Sequence, residues 1–273
     1  MAVVHETHVI YKVQSGDTLY SIAARFGSTE NALRQANAIY PPITDVNLIY
    51  PGWTLAVPTP SILPNRTIYI VAQGDTLYSI AYRFAAHPDL LIGINKRIQN
   101  PNLIFPGQSL WVPAFMYEVV QGDTLTRISQ HLGVPINTIL VANQSRPGLS
   151  GDLIYPGYRL IIPLPSSRNI VVTRPFPGDT VCSGQQVEGF ARVFEANVMM
   201  QLVDANNEII SNERFTTATE GAPAYGYFSA ALPFDKSPTA RSGELWVYDR
   251  SAKDGSITDL VQVQVYFNIN SST

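Results

Sequence analysis

Three short runs of β-branched and aromatic residues, HVIYKVQ (8–14), TIYIVAQ (67–73) and FMYEVVQ (115–121), each stop at a Gly-Asp-Thr turn. Such runs predict strands. Beyond each turn the apolar period becomes helical, at Leu19, Ile22, Ala23 and Phe26, at Leu77, Ile80, Ala81 and Phe84, and at Leu125, Ile128 and Leu132. Asp17 or Thr18, and likewise Asp75 or Thr76 and Asp123 or Thr124, are natural N-caps for these helices. A second short helix opens at Ser28-Thr29, Pro88 or Pro135, the prolines suiting a first turn, and ends near Asn37, Asn95 or Asn143. Each of those asparagines lies 20 residues after its aspartate, which implies one rigid geometry used three times. LIYPGWTLAVP, LIFPGQSLWVP and LIYPGYRLIIP then place a Pro-Gly turn before a second strand that stops at proline. Each copy is a βααβ unit of roughly fifty residues, its strands antiparallel and both helices on one face, leaning on a few apolar anchors.

From residue 170 the helical period is gone. NIVVTRP, QQVEGFARVF, NVMMQLVDANNEII, YGYFSAALPF, GELWVYDRS and LVQVQVYFNI predict six or seven short strands, separated by turns such as Pro177-Gly178, Asn206-Asn207 and Asp254-Gly255. A stretch of about a hundred such residues predicts a β-sandwich. The expected fold is α+β: βααβ modules at 8–58, 67–113 and 115–163, then an all-β immunoglobulin-like sandwich at 168–270. TPSILPNR (59–66) is the longer linker and Ala114 alone separates modules 2 and 3, so the second junction is expected to fix orientation more than the first.

Composition narrows the partners. The 273 residues carry a formal net charge of −3 with no Lys/Arg run, which offers nothing to nucleic acid or an anionic membrane. Residues 1–163 hold ten Lys/Arg against nine Asp/Glu, near neutral and suited to an uncharged ligand. Cys182 is the single cysteine, so no intrachain disulfide forms. It is expected to be a buried, inert thiol. MAVVHETHVIYKVQ interrupts any apolar signal region with His5 and Glu6, and no run is long enough for a membrane span. His5 and His8 are near in sequence, but a frayed terminus explains them better than a metal pair. No cofactor is expected.

The three copies resemble the LysM family: strand, Gly-Asp-Thr-Leu, two helices, the asparagine, then Leu-Ile-Tyr-Pro-Gly-x-x-Leu-x-x-Pro. That resemblance implies binding of N-acetylglucosamine polymers, peptidoglycan or chitin, in a shallow groove between the loop after strand one and the loop before strand two. Carried onto this chain, groove 1 is Gly16, Asp17, Thr18, Leu19 and Tyr20 facing Ile49, Tyr50 and Pro51. Groove 2 is Gly74, Asp75, Thr76, Leu77 and Tyr78 facing Ile104, Phe105 and Pro106. Groove 3 is Gly122, Asp123, Thr124, Leu125 and Thr126 facing Ile154, Tyr155 and Pro156. Glycine turns let a sugar approach the backbone, and the Leu, Ile and aromatic side chains offer a seat for an N-acetyl methyl. Thr126 stands where the other copies have tyrosine, which sets groove 3 apart.

IVVTRPFPGDTVCSGQQVEGFARVFEANV (170–198), YGYFSAALPF and SGELWVYDRSAKDGS are similar to the immunoglobulin-like Gmad2 domain of bacterial spore-germination proteins. That likeness implies a spore-forming, cell-wall or spore-envelope context; envelope or spore-coat proteins as contacts of the sandwich are expected from the architecture alone. Simpler readings stand beside each assignment. The aspartates are explained as caps, the leucines as core anchors, the asparagines as helix or loop braces. Trp246, Tyr248 and the Tyr225, Tyr227 and Phe228 cluster read as core rather than as a binding patch. A hydrolase is disfavoured, because glycoside cleavage normally takes two carboxylates and each repeat shares only one. No histidine follows His131 to serve Cys182 as a base. The expectation is a non-catalytic, multivalent wall binder; the alternative is a structural spore-coat protein acting through protein contacts, with a hydrolase third.

Overall fold

The computed structural model describes residues 3–4, 6–45, 48–60, 66–98, 100–149 and 153–268. After β1 (Val3–Val4), module 1 comprises β2 (Thr7–Lys12), α1 (Leu19–Phe26), α2 (Glu30–Ala36) and β3 (Thr54–Thr59). Module 2 comprises β4 (Thr67–Ile70), α3 (Leu77–Arg83), α4 (Pro88–Gly93) and β5 (Ser109–Val112). Module 3 comprises β6 (Ala114–Glu118), α5 (Leu125–Leu132), α6 (Ile136–Ala142) and β7 (Arg159–Pro163). In all three the two strands pair antiparallel.

Modules 1 and 2 share one sheet. β2 pairs in parallel with β4, Val9 opposite Ile68 and Ile10 opposite Tyr69, giving the order β3-β2-β4-β5. Alternate residues of these strands therefore serve two cores. Val9, Tyr11, Ile68 and Ile70 pack with the helices of module 1, while Ile10, Ala56, Tyr69 and Val71 pack with those of module 2. One face of the sheet is covered by α1 and α2, the other by α3 and α4. This overturns the expectation about the linkers: strand pairing fixes the first junction, whatever the length of chain between the modules. In module 3, Phe115, Tyr117, Leu160 and Ile162 face that module's own helices, while Met116 and Ile161 join the core of module 2.

Two buried arginines fasten the modules together. Arg83 on α3 donates to the carbonyls of Ala142 at 3.1 Å and Gln144 at 3.0 Å in module 3, and reaches Thr54 Oγ1 of module 1 at 3.3 Å. Arg146 of module 3 donates to the Ala36 carbonyl at 3.0 Å and to Asn37 Oδ1 at 2.9 Å in module 1. It also bonds Asn143 and the Arg159 carbonyl, with its guanidinium 4.5 Å from the ring centre of Tyr158. Burial pushes both guanidinium pKa values down, and the carbonyl cages replace the water they lose.

Among the described residues the C-terminal part has eight strands: β8 (Ile170–Arg174), β9 (Thr180–Val181), β10 (Gln185–Ala191), β11 (Asn197–Asp204), β12 (Ile209–Thr217), β13 (Gly226–Leu232), β14 (Ser242–Arg250) and β15 (Ile257–Phe267). They form sheets ordered β13-β10-β8 and β12-β11-β14-β15-β9 around a single apolar core. The sequence reading counted fewer, since β9 is two residues long and β12 is an edge strand whose outer half is polar. Phe228 and Tyr248 are core residues; Tyr225 is buried in the contact with module 2, where a Cβ on Gly93 would strike its ring. Cys182 is exposed, contrary to expectation.

The sandwich is docked, not tethered. Phe176 stacks on Phe115 with ring centres 4.7 Å apart, Phe190 meets Trp111 edge-on at 5.1 Å, and Tyr266 stacks on His131 at 4.7 Å. Asp89 at the start of α4 pairs with Arg168 at 2.6 Å and Arg192 at 3.3 Å.

Candidate functional site: three braced grooves

Each groove is built from two glycine turns tied by backbone bonds. Val13 donates to the Trp53 carbonyl at 2.8 Å and accepts from Gly52 N–H at 2.9 Å. Val71 with Gln108 and Gly107, and Val119 with Tyr158 and Gly157, repeat the pair. The two loops of a module are thereby held side by side. Gly16, Gly74 and Gly122 all sit at φ between +84° and +87°, as do Gly107 and Gly157, with Gly52 at +93°. No atom lies within 4 Å of where a Cβ would stand on Gly16 or Gly74, so φ alone demands glycine, and the space above the backbone is open.

The threonines are the caps. Thr18 and Thr76 accept from Ser21 and Ser79 N–H, and the serines reach back to complete capping boxes; Thr124 accepts from Arg127 N–H. The aspartates instead brace the turn before the helix. Asp17 Oδ2 accepts from Gln14 N–H at 2.7 Å and the Tyr11 hydroxyl at 2.8 Å. Asp75 does the same with Ala72 and Tyr69, both at 2.7 Å, and Asp123 with Val120 at 2.9 Å and Tyr117 at 3.0 Å. Burial, then the carboxylate, raises the Tyr11 phenol to about 12, and Tyr69 and Tyr117 move the same way. The sequence carried this signal unread: a tyrosine six positions before every one of these aspartates.

The asparagines link helix to strand. Asn37 Nδ2 donates to Leu33 O and Ala56 O while its Oδ1 accepts from Ala56 N–H, all at 2.8 Å. Asn95 bridges Leu91 to Trp111, and Asn143 bridges Ile139 to Ile161, in the same way. Each amide behaves as one residue of an added strand.

The side chains assigned to the grooves divide by exposure. Leu19, Leu77 and Leu125 are buried under their helices, so at those positions only backbone faces the groove. Tyr20 and Tyr78 are 71% and 72% exposed, and on the other loop of each groove Tyr50 is 51% and Phe105 62% exposed. Pro51, Pro106 and Pro156 are exposed and Ile49, Ile104 and Ile154 half-buried. Tyr50 rests edge-on against Trp53 at 5.1 Å. Groove 3 differs. Tyr155 is half-buried in the module 3 core alongside Tyr40 and Ile43 of module 1, Thr126 adds no ring, and Arg127 donates across the turn to the Gly122 carbonyl at 2.9 Å.

His8 is buried in β2, where Arg159 donates to its Nε2 at 2.8 Å, and its Nδ1 lies 3.2 Å from the Glu6 carbonyl. Burial and the neighbouring guanidinium lower its pKa to about 4. That is no metal ligand's setting, and His5 lies outside the described residues. Among the described residues no cluster of three or more His, Cys, Asp or Glu is placed to hold a metal, and no helix is long and apolar enough to cross a membrane.

Three βααβ modules with one loop geometry repeated, followed by an immunoglobulin-like sandwich, define a modular wall-binding class. The chain belongs to the LysM family, whose domain profile matches residues 11–58, 69–113 and 117–163; residues 169–256 match the Gmad2 immunoglobulin-like domain of bacterial spore germination. The chain is 38% identical over 96 residues to the sporulation-specific glycosylase YdhD of Bacillus subtilis, covering 35% of this chain and 22% of that protein. It is 30% identical over 174 residues to the N-acetylmuramoyl-L-alanine amidase sle1 of Staphylococcus epidermidis, covering 56% and 50%. The Bacillus cereus spore cortex-lytic enzyme SleL superimposes at a TM-score of 0.29 with 29% identity, over 39% of this chain and 22% of that one. The chain thus spans half or less of the length of these relatives.

Proposed function

We propose that the chain binds N-acetylglucosamine-containing glycan, bacterial peptidoglycan before chitin, and does so without catalysing a reaction on it. The observation that carries this reading is the recurrence of exposed rings, Tyr20 and Tyr50 in groove 1 and Tyr78 and Phe105 in groove 2, on loops whose glycine turns leave open space above the backbone. Rings offer broad apolar area to a sugar face, and the turn backbone offers amide donors and acceptors to an N-acetyl group. Grooves 1 and 2 are the working pair and groove 3 the weaker site. Each groove's shared carboxylate already holds a backbone N–H and a phenol, so none is placed as one of two flanking acids. The LysM and spore-germination domains point to a cell wall or spore envelope location.

Titration calorimetry of the full chain with N-acetylglucosamine oligomers of increasing length tests the reading. Affinity is expected to rise with length, and Tyr50→Ala or Phe105→Ala to lower it about tenfold, the scale of a lost buried ring contact. Absence of binding to every oligomer and to peptidoglycan sacculi would sink it, and release of reducing ends from sacculi would sink the non-catalytic part. A second reading, contact with envelope or coat proteins through the sandwich, is favoured by Phe194 and Phe215, exposed on its surface. A sandwich variant carrying Phe194→Ser and Phe215→Ser that keeps every partner captured by the native chain from spore-coat extract counts against it.

A further inference from the structure

A cleft of about 600 Å³ lies between module 2 and the sandwich. It is lined by Gln108 and the edge strand β5 from Ser109 to Trp111, by Phe190 of β10, and by Arg66 and Arg97. Pockets at such domain junctions commonly hold ligands. The Arg66 guanidinium lies 4.9 Å over the Trp111 ring, which also meets Phe190 edge-on. That stacking holds a fork of N–H donors in place against an apolar floor, with little side-chain freedom left to lose on binding. Lys96 on the same rim is already paired with Glu220, but among the described residues neither Arg66 nor Arg97 makes an ion pair. Two uncompensated guanidinium groups beside the aromatic pair of Trp111 and Phe190 ask for a carboxylate attached to something apolar.

The cleft also begins where groove 2 ends. Gln108 lines it, and the Gln108 Oε1 accepts from the N–H of Phe105, the groove's own aromatic residue, at 3.1 Å. A substituent leaving a sugar seated against Phe105 reaches the cleft along β5. We propose that this cleft receives the carboxylate-bearing peptide substituent of a glycan strand held in groove 2. The assignment rests on reading groove 2 as a glycan site. The aromatic floor favours a peptide, with its aliphatic side chains, over the phosphates of an anionic wall polymer.

The test is calorimetry of the full chain against four probes: an N-acetylglucosamine tetramer, a peptidoglycan tetrasaccharide with its peptides, the same tetrasaccharide stripped of them, and poly(glycerol phosphate). The intact fragment is expected to bind at least about tenfold more tightly than the stripped one, the scale of a bidentate charge-assisted contact. Its affinity should also fall more steeply with salt. Arg66→Gln with Arg97→Gln should erase that difference while leaving the tetramer unchanged, which doubles as proof of folding. Arg97→Glu, on an exposed side chain, gives the same answer without disturbing the Trp111 stack. Equal affinity for the intact and stripped fragments, or an intact-fragment affinity indifferent to Arg97→Glu, overturns the proposal. So does tight binding of the phosphate polymer that displaces the intact fragment. Failure of the groove reading looks different: the tetramer and stripped fragment would not bind, while the intact fragment still bound through Arg66 and Arg97.

Discussion

Asp75 Oδ2 takes a backbone N–H and a phenol, each at 2.7 Å, so its removal strands two donors beside the core of module 2. Asp75→Ala should cost about 2 kcal/mol, a charged acceptor's usual share for such bonds, lowering the melting temperature by roughly 4–8 °C for a chain of this size. Glycan affinity should fall with it, because the same carboxylate shapes the turn. A variant that melts like the native chain yet loses glycan would instead make Asp75 a direct sugar contact. His8 gives a second prediction at this scale. Its pKa stands at about 4 in the fold against 6.5 when unfolded, so the unfolded chain binds more protons between those values. Stability carried by neutral His8 is fully present above pH 6.5 and is lost as pH falls toward 4, by about 3 kcal/mol at most. Below that the loss levels off. Arg159, itself held by Glu6 at 2.9 Å and Glu118 at 3.4 Å, is the facing charge that makes a protonated His8 costly. Urea titrations of native chain and His8→Gln across pH 4–7 check this: the native slope in that window should exceed the variant's, and matched slopes would refute it.

At the scale of elements, an amide in place of a strand does the joining. Asn143 and Asn95 make the same three backbone bonds, but Asn143 is fully buried and also accepts from Arg146, which crosses to module 1. Asn143→Ala should therefore destabilise by more than Asn95→Ala, roughly 3 kcal/mol or more against about 2, since it leaves a buried guanidinium underbonded. Denaturant midpoints for the two variants, with unchanged slope, measure the difference; equal shifts would mean Arg146 finds other acceptors. The elements themselves were legible in sequence. Helical spacing after each Gly-Asp-Thr, the threonine caps and the constant Asp-to-Asn interval all describe local geometry, and local geometry is what a repeat encodes. What escaped reading was which faces are covered. HVIYKV and TIYIVA are nearly unbroken apolar runs, the mark of strands buried on both sides, yet a lone βααβ unit has helices on one face only. The second cover comes from the neighbouring module, a contact between residues about sixty positions apart that no local period announces. Likewise β12 escaped because its edge position leaves NERFTT polar, and the exposure of Cys182 depends on where the sheet ends. In the grooves, the exposed rings were legible as a motif. The partial burial of Tyr155 was not, because it depends on the module 1 loop carrying Tyr40.

For the whole molecule, the shared sheet and the two arginines make the grooves parts of one body. β2 and β4 run parallel, so the turns of grooves 1 and 2 leave their common sheet at the same end, at a fixed spacing. Multivalent gain from a rigid pair is large for a polymer whose repeat matches that spacing and small for one that does not. A flexible string of modules would instead gain from any long glycan. The rigidity has a thermal signature. Contacts join every unit to its neighbour, from the β2–β4 ladder through the buried Arg83 and Arg146 to Phe115 on Phe176 and the more exposed pair of Asp89 with Arg168. Scanning calorimetry of the full chain should therefore show a single transition. Opening the contact with the sandwich by Phe190→Ala together with Asp89→Ala should split it, the sandwich melting apart from the modules, because these side chains touch across the boundary and lie outside the sandwich's own apolar core. Two separate transitions in the native chain would mean that the units fold independently, and the fixed spacing of the grooves would no longer follow.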